Sequence, residues 1–312
     1  MSITPTEYIW RDGELIPWAD ATEHVMAHAM HYGTSVFEGI RAYSTPKGPA
    51  IFRLKEHVRR LFDSAKMYHI EIRFTQKQIC EACLQVVGEN QLNAAYIRPL
   101  VYAGMGELGL IRTEATPIKV IVAAIPWGAL HGSGSIENGI DACVSSWQRA
   151  TSASTPLLAK AGGHYLNSQL ITMEANRNGF AEGIAVINGS LSEGAGENIF
   201  LVRDDVIYTP PLASSILNGI TRNTAIQLAA QLGVPLIQQA MPREMLYIAD
   251  EVFMTGTAAE ITPVRSIDRI TIGESCPGPV TRQLQKSFFG LFNGETDPRD
   301  WLSYVPQKTT VN

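Results

Sequence analysis

The sequence has few cysteines, no long apolar run and little excess of charge. Its 312 residues include four cysteines, at positions 80, 83, 143 and 276. So few thiols in so long a chain do not form a disulfide framework, which favours a reducing compartment. Cys80 and Cys83 have the spacing of a redox or metal pair. They lie in a predicted amphipathic helix, and no second pair or nearby histidine completes a site, so we interpret them as ordinary thiols.

The lack of long apolar runs and of excess positive charge excludes further classes of protein. The longest apolar run, residues 120–125, is far too short to span a bilayer. Charged side chains such as Glu7 and Arg11 interrupt the first 20 residues, which therefore lack the apolar core of a signal peptide. The net charge of −5 and the lack of a basic run argue against a nucleic-acid binder. We expect a cytoplasmic protein that binds neither membranes nor nucleic acid.

The local signals predict two α+β domains. Strand and helix signals do not alternate regularly, so we expect mainly antiparallel or mixed sheets and not a doubly wound parallel sheet. A glycine- and serine-rich stretch over 126–136 is predicted to link a smaller N-terminal domain, 1–125, to a larger cofactor-binding domain, 137–312.

Periodicity and turn residues predict individual elements. Asp12-Gly13 predicts a hairpin, and Asn188-Gly189 and Asp204-Asp205 predict tight turns. The predicted helices span 54–67, 76–87, 165–176 and 220–232, and the predicted strands include 95–102, 119–124 and 140–145.

Lys160 is unusual among the eight lysines, because its neighbours on both sides are small or apolar. Such a setting disfavours the ammonium form. A neutral amine is what Schiff-base chemistry requires. A lysine that extends from a loop into solvent is the alternative.

Residues 192–198 place Glu193 beside Gly194, Ala195 and Gly196, which have little or no side chain. Small residues let the backbone approach a flat ligand closely. A carboxylate at that point can hold a positively charged ring nitrogen. A glycine-rich connection in a β-meander, with solvated glutamates, is the alternative.

Two later segments have features of anion sites. Residues 218–222 open a predicted helix, where free backbone N–H groups and the helix dipole attract anions. Residues 254–260 end a strand and continue with small and hydroxyl residues, which suit phosphate or carboxylate contacts. A plain N-cap and a plain turn are the alternatives.

Arginines supply further candidates for binding anions. Arg60 lies in a predicted helix with other basic residues, most of which we expect to be solvated. Tyr96 and Arg98 share one face of a predicted strand by alternation. An arginine on a mostly apolar strand needs an anionic partner, which is either a ligand or a structural carboxylate.

An amine, a carboxylate and anion sites together fit pyridoxal 5′-phosphate. Lys160 would bind its aldehyde, the helix start near Ile220 its phosphate, and Glu193 its pyridine nitrogen. A protein that binds a phosphorylated ligand without chemistry is the alternative from a different class.

Several long motifs, in this order, resemble those of the branched-chain-amino-acid aminotransferases, in the class IV (fold type IV) pyridoxal-phosphate family. The matching segments are 31–41, 96–100, 159–163, 192–198, 219–222 and 256–260. The resemblance runs from about residue 8 to residue 294. It implies an α+β, two-domain fold with a smaller N-terminal α/β sandwich and a larger C-terminal domain with a mixed, barrel-like sheet.

The resemblance implies a role for each matched residue. Lys160 is the catalytic residue, which forms the Schiff base and carries the proton between the substrate Cα and the cofactor. The cofactor-binding residues that it implies are Arg60, Lys160, Tyr165, Glu193, Ile220, Thr221 and Thr257. The substrate-binding residues that it implies are Tyr32, Phe37, Tyr96, Arg98 and Ala258. Arg98 is assigned to the distal carboxylate of glutamate, and no metal is implied.

The implied reaction is reversible transfer of the amino group of L-leucine, L-isoleucine or L-valine to 2-oxoglutarate by a ping-pong mechanism. Alternatives of the same fold are a D-amino-acid or (R)-amine aminotransferase and an aminodeoxychorismate lyase. The family builds its active site at a dimer interface, so a homodimer is the minimum expected, and a trimer of dimers is the larger alternative. Leu130 and residues 104–110 depart from the family pattern, which leaves the preference among amino donors open.

Overall fold

The computed structural model describes residues 3–127, 130–132 and 134–306. The chain divides into two compact units. Unit 1 comprises the described residues of the ranges 1–127, 159–163 and 292–312, and unit 2 comprises those of 128–158 and 164–291.

Unit 1 is built on an eight-stranded sheet whose neighbouring strands pair antiparallel. The strands are β1 (Tyr8–Arg11), β2 (Glu14–Pro17), β3 (Ser35–Phe37), β4 (Ile40–Thr45), β5 (Gly48–Phe52), β6 (Ala95–Ala103), β7 (Ile118–Ile125) and β17 (Leu302–Tyr304). Their order is β17-β5-β4-β6-β7-β1-β2, with β3 also paired to β6.

Within its described residues, unit 1 contains three α-helices, α1 (His28–Tyr32), α2 (Leu54–Met67) and α3 (Gln76–Glu89), of which α2 and α3 contribute buried apolar residues to the core of the unit. In α2, Val58, Leu61 and Ala65 recur at helical spacing and are buried in the core of the unit. Helix α3 begins with a capping box between Thr75 and Gln78. The predicted helix over 54–67 is confirmed.

Unit 2 contains a nine-stranded mixed sheet, in the order β10-β9-β8-β15-β14-β11-β12-β13, with β16 paired to β15. The strands are β8 (Ile140–Val144), β9 (Glu182–Ile187), β10 (Ser190–Gly194), β11 (Asn198–Arg203), β12 (Val206–Thr209), β13 (Leu236–Gln238), β14 (Glu251–Gly256), β15 (Glu260–Ile267) and β16 (Ile270–Thr271). The parallel pairs are β8–β9, β8–β15 and β12–β13. The remaining helices are α4 (Ser135–Asn138), α5 (Tyr165–Arg177), α6 (Ile220–Gln231) and α7 (Pro279–Asn293).

Tight turns connect the hairpins that the sequence predicts. Asp12 and Gly13 between β1 and β2 have φ of 52° and 112°, and Asn188 and Gly189 between β9 and β10 have φ of 48° and 79°. Positive φ at both central residues matches the right-handed twist of the paired strands. The predicted hairpin at Asp12-Gly13 and the predicted turn at Asn188-Gly189 are confirmed.

The end of the chain lies elsewhere than the sequence predicts. We expected residues 292–312 in the C-terminal domain, but β17 pairs antiparallel with β5, which groups the described part of this stretch with unit 1. The segment 159–163 also groups with unit 1, where Ala161 forms a β-bridge to Val36. Long-range backbone pairing, which local patterns do not reveal, causes both differences.

Neither membrane helices nor reactive thiols stand out. Among the described residues, no helix combines the length and the hydropathy that crossing a bilayer requires. The four cysteines are free, and burial raises the pKa of the Cys80 and Cys83 thiols. Because the thiolate is the reactive form, this pair lacks the character of a redox motif.

Candidate active site

The backbone of Lys160 is fixed within unit 1. Its carbonyl oxygen accepts a hydrogen bond from the Phe37 N–H at 3.0 Å. Its own N–H donates to Ser64 Oγ at 2.9 Å, and Ser64 donates to the carbonyl oxygen of Arg60 at 2.8 Å. These bonds join the lysine to the end of β3 and to α2.

Two cationic side chains lie near the Phe37 ring. Lys160 Nζ lies 5.0 Å from its centroid and the Arg98 guanidinium carbon lies 4.6 Å from it. A cation within about 6 Å of an aromatic face is attracted by the ring quadrupole. The structure therefore brings the candidate amine, an apolar ring and a candidate carboxylate receptor together.

Tyr96 and Arg98 lie on one face of β6, as alternation predicts. Arg98 Nη2 donates to the Tyr96 hydroxyl oxygen at 3.0 Å, and the Tyr96 ring stacks on Trp127 with centroids 4.6 Å apart. A Cβ at Gly39 would lie 2.0 Å from the Tyr96 hydroxyl, so only glycine leaves room for it. Within the described ranges Arg98 pairs with no carboxylate, so its partners are a phenol oxygen and aromatic faces.

Arg60 is held by a buried glutamate. Its Nε donates to Glu38 Oε1 at 2.6 Å and its Nη2 to Glu38 Oε2 at 2.8 Å, while His57 Nδ1 lies 2.7 Å from Glu38 Oε2. Burial opposes ionisation of Glu38, yet Arg60 and His57 lower its pKa to about 2. The ionised carboxylate only accepts hydrogen bonds, so His57 Nδ1 carries the hydrogen. Burial also lowers the pKa of His57, which keeps its ring neutral.

Tyr32 ends helix α1 and is 42% exposed. Its ring packs on His28, with centroids 4.6 Å apart. The next residue, Gly33, has φ of 67°, and a Cβ there would lie 3.3 Å from the Gly163 Cα. The chain after Tyr32 is therefore in close contact with the segment that carries Lys160.

In unit 2, three donors hold the Glu193 carboxylate. Arg149 Nη2 donates to Oε1 at 2.7 Å, and Asn198 Nδ2 and the Leu217 N–H donate to Oε2 at 2.9 and 3.0 Å. The side chain is 4% exposed. Charge-assisted bonds of this kind fix both the position and the ionised form of a buried carboxylate.

Arg149 also ties Glu193 to helix α5. Its Nη1 donates to Ser168 Oγ at 3.1 Å, and Ser168 lies in the first turn of α5, which begins at Tyr165. A single guanidinium thus joins the carboxylate to the helix start that carries the candidate Tyr165.

Asn198 ties Glu193 to helix α6. The Asn198 side chain donates to both the Glu193 carboxylate and the Leu217 carbonyl oxygen. A Cβ at Gly219 would lie 1.9 Å from Asn198 Oδ1, so a glycine is required where α6 begins. The N-cap residue, Gly219, has no side chain with which to cap this helix, so the N–H groups of Ile220 and Thr221 are suited to an anion.

The candidate residues Thr257 and Ala258 follow β14, which pairs with β11. In that pairing Asn198 lies opposite Thr255. This register places the end of β14, just before Thr257, beside Asn198, which donates to the Glu193 carboxylate. Within unit 2, the Glu193 carboxylate is therefore linked to three segments: the start of α5, the start of α6 and the end of β14. These segments carry the candidates Tyr165, Ile220, Thr221, Thr257 and Ala258.

These residues fit pyridoxal phosphate. Within unit 1 the backbone of Lys160 is fixed and the Arg60 guanidinium is oriented, and within unit 2 there are a buried carboxylate and a helix start with a glycine N-cap; each of these groups suits one part of that cofactor. The Amino-transferase class IV family model matches residues 35–267. The chain belongs to the class IV aminotransferase family. Enzymes of this family depend on pyridoxal phosphate, so the predicted cofactor and α+β fold are confirmed.

Relatives of this class IV aminotransferase are similar over nearly the whole chain. The branched-chain-amino-acid aminotransferase of Escherichia coli (strain K12) is 53% identical over 98% of this chain and 100% of its own. That of Pseudomonas aeruginosa is 46% identical over 95% and 97%. A crystal structure of the E. coli enzyme has a TM-score of 0.95 at 54% identity, covering 96% of this chain and all of its own. The PLP-form of the branched-chain amino acid aminotransferase from Thermobaculum terrenum has a TM-score of 0.90 at 36% identity, covering 97% and 99%.

Local sequence patterns do not identify the residues that support the candidates. Arg149 lies between β8 and α5 in a segment without regular secondary structure, where a lone arginine gives no periodic signal. Glu38 stands in a matched motif, but nothing local assigns it to Arg60. Asn198 closes the 192–198 motif, and its amide contacts depend on the register of β11.

Proposed function

We propose that this class IV aminotransferase transfers the amino group of L-leucine, L-isoleucine or L-valine to 2-oxoglutarate. The observation that carries the proposal is the grouping of Lys160 and Arg98 around the Phe37 ring. The ring offers an apolar wall to a branched side chain. Arg98, which pairs with no carboxylate among the described residues, offers a charge-assisted partner to the distal carboxylate of glutamate. The names of the relatives support the same substrates.

Each residue has a defined task in the reaction. Pyridoxal phosphate, when bound, supplies the electron sink that makes the substrate Cα proton removable. Lys160 Nζ takes that proton from one carbon and returns it to another, which requires the neutral amine. Glu193 keeps the ring nitrogen protonated. Tyr96 and the backbone at 257–258 receive the α-carboxylate.

The remaining residues anchor the cofactor. Arg60, the backbone N–H groups of Ile220 and Thr221, and Thr257 would hold the phosphate, and Tyr165 would donate to the ring 3-oxygen. The Glu38 carboxylate holds the Arg60 guanidinium in one orientation before any phosphate arrives. Tyr32 and Phe37 line the side-chain pocket.

The function is tested by following glutamate formation from L-leucine and 2-oxoglutarate. We expect turnover by the purified protein and a loss of at least about 10³-fold in Lys160→Ala, because no other group replaces the proton carrier. The exposed Lys66→Ala is the control and should match the wild type. Turnover of D-alanine, (R)-1-phenylethylamine or aminodeoxychorismate, with none of L-leucine, would instead establish one of the alternatives.

The assembly proposed is a homodimer. Exposed apolar side chains lie on two segments of unit 1, residues 25–32, which include α1, and the loop 105–111. A β-bridge between Ala27 and Met105 and a 2.9 Å contact of His28 Nε2 with the Gly109 carbonyl oxygen hold the two segments together. The members of this apolar loop surface are Val25, Met26, Met30, Tyr32, Met105, Leu108, Leu110 and Ile111. A contiguous patch of this kind marks an interaction surface, and Tyr32 places it next to the candidate pocket.

Light scattering after gel filtration tests the assembly. We expect at least twice the 34.1 kDa chain mass, and six times that mass would indicate a trimer of dimers. The double variant Leu110→Glu/Ile111→Glu should release monomers, since it places charges within the apolar loop surface. Ile270→Glu, at an exposed apolar residue of unit 2, is the matched control. A monomeric wild type that turns over L-leucine would refute the dimer and leave the reaction standing.

A further inference from the structure

Three ionisable side chains that the proposed reaction does not use meet beside the Glu193 turn, residues 193–197. They are His131, Glu182 and Glu197, and their donor atoms lie within 4.8 Å of one another. Glu182 is 4% exposed and Glu197 is 5% exposed. Buried ionisable groups are costly unless they are paired, so their presence calls for a role.

Glu182 holds the middle of the turn. It is the first residue of β9, and its Oε1 accepts hydrogen bonds from the Ala195 N–H at 2.9 Å and from the neighbouring Gly183 N–H at 2.8 Å. Ala195 lies two residues after Glu193. The carboxyl group thus fixes the backbone that carries the candidate partner of the cofactor ring to the adjacent strand.

Glu197 holds the other side of the turn. Its main-chain oxygen accepts from the Gly194 N–H at 2.7 Å, and its Oε2 accepts from the Gly196 N–H at 3.3 Å. A Cβ at Gly256 would lie 3.3 Å from Glu197 Cγ, so this side chain packs directly on the end of β14. The turn is therefore set against the strand that leads into Thr257 and Ala258.

His131 brings the predicted linker into the same cluster. Its Nε2 lies 3.6 Å from Glu197 Oε1, which is a close contact but longer than a hydrogen bond. The side chain is 9% exposed, and Nε2 is buried without a hydrogen-bond partner among the described residues. The imidazole thus faces the acidic pair without competing for its hydrogen bonds.

One proton satisfies the two acids. The carboxyl oxygens of Glu182 and Glu197 lie within 4.8 Å of each other, and two buried carboxylates this close do not both ionise, which places a hydrogen on one of them. Burial, and then the charge of Glu197, raise the pKa of Glu182 well above its ordinary value. Burial opposes ionisation of Glu197 as well, yet His131 and hydrogen bonds from Glu182 and Gly196 lower its pKa. Glu182 therefore holds the hydrogen and Glu197 the charge.

We propose that Glu182 and Glu197 are positioning residues, in which a protonated Glu182 and an ionised Glu197 facing His131 clamp the Glu193 turn against β9 and β14. The clamp acts on the cofactor through Glu193, so this part of the inference rests on the proposed function. The hydrogen between the acids is a structural donor and takes no part in the transfer of the amino group.

Replacement by glutamine tests which of the two acids carries the hydrogen. In Glu182→Gln the amide supplies both the donor that faces Glu197 and the acceptor for the Ala195 N–H, so this variant should resemble the wild type. Glu182→Ala leaves the Ala195 N–H buried without an acceptor. Glu251→Gln is the matched control, because Glu251 is also buried in unit 2 and accepts from two backbone N–H groups, those of Val280 and Thr281.

The first measurement is amide hydrogen exchange of a peptide spanning 192–199 in cofactor-free protein. We expect exchange about tenfold faster in Glu182→Ala and within twofold of the wild type in Glu182→Gln, with no change in Glu251→Gln. Glu197→Gln removes the charge that faces His131 and should speed exchange about threefold. This variant tests the clamp if Glu182→Ala does not fold.

The second measurement is cofactor affinity, by titration of pyridoxal phosphate into the same proteins. We expect Glu182→Ala to bind about tenfold more weakly and Glu182→Gln to match the wild type. A loss of cofactor affinity in Glu182→Gln equal to that in Glu182→Ala would overturn the assignment of the hydrogen to Glu182. So would one equivalent of zinc or manganese in the purified wild type that is lost in Glu182→Gln, since the same three donors suit a transition metal. If the wild type bound no cofactor, the proposed function would fail, whereas the exchange measurement would still judge the clamp.

Discussion

Units 1 and 2 each contain a buried arginine–glutamate pair, and in both pairs the arginine is the more exposed member. In unit 1 the Glu38 side chain is 0% exposed and Arg60 is 12% exposed, and His57 completes the acid's contacts. In unit 2 Arg149 is 10% exposed and Glu193 is 4% exposed, with an amide and a backbone N–H as further donors. In our proposal the arginine is the working group of the first pair and the glutamate that of the second.

The difference shows how one kind of ion pair serves two tasks. A glutamate that is fully satisfied by side chains orients a guanidinium, which suits the binding of a doubly charged phosphate. An arginine that bridges Glu193 and Ser168 holds a carboxylate against two helix starts, which suits a flat cationic ring. The supporting member has no chemistry of its own, yet its loss leaves a buried charge without a partner.

The largest expected effect comes from the working member of the pair in unit 2. Glu193→Gln keeps the shape of the side chain and removes its charge, so the ring nitrogen loses its anionic partner. We expect kcat to fall by about 10²- to 10³-fold, within the range for losing one preorganised electrostatic contact. The free energy of unfolding should fall as well, because Arg149 loses its buried counter-charge, although the Asn198 and Leu217 donors keep an acceptor oxygen. An unchanged kcat in steady-state assays would show that Glu193 has another role.

The supporting member of the pair in unit 1 should affect stability. Glu38→Gln leaves Arg60 without its buried counter-charge, and we expect a loss of about 2–3 kcal/mol in the free energy of unfolding. Urea titration of cofactor-free protein measures it. Glu56→Gln, at an acid of the helix that carries Arg60, with a side chain 38% exposed, is the control. Equal stability of the two variants would mean that the Arg60–Glu38 pair contributes nothing net.

Sequence patterns predict the residues proposed to contact the cofactor better than they predict the residues that hold those side chains in place. Lys160 and Glu193 stand in segments whose small neighbours are visible locally, and α2, α5 and α6 follow from periodicity. Arg149 lies 44 positions from the glutamate that it holds, and Arg60 lies 22 positions from Glu38. The pairing of Asn198 with Thr255 depends on which strands become neighbours in the sheet. Partner identity is thus a product of long-range register, which no local pattern specifies. The individual roles stay predictions.

The pair in unit 1 should also give the enzyme an acid-sensitive fold. The pKa of His57 is lowered by burial and that of Glu38 is lowered to about 2, so below their ordinary values the unfolded chain binds more protons than the folded one. Stability is therefore complete above about pH 6.5 and is lost as the pH falls, first through His57 and then, between about 4.5 and 2, through Glu38, whose shift alone corresponds to about 3 kcal/mol.

Unfolding curves at a series of pH values separate the two contributions. Since Glu38 raises the pKa of His57, Glu38→Gln should make the loss between pH 6.5 and 4.5 steeper and flatten the loss below pH 4.5. His57→Gln should remove only the loss of stability between pH 6.5 and 4.5. Parallel curves for the wild type and Glu38→Gln would contradict the ionised state that we assign to this carboxylate.

Arg98 sharpens the comparison, because among the described residues it is an arginine of unit 1 without a glutamate partner. Its guanidinium, on the Phe37 ring and the Tyr96 hydroxyl, is held in place without being neutralised, which is what a receptor for a substrate carboxylate requires. Arg98→Ala should raise KM for L-glutamate about tenfold and change KM for L-leucine less than threefold, since leucine has no distal charge. Arg98→Lys, which keeps the charge but loses the planar fork, should lie between the two. Equal losses for both amino acids would assign Arg98 to the α-carboxylate, or to the support of Tyr96, and would leave glutamate recognition to a residue outside the Phe37 cluster.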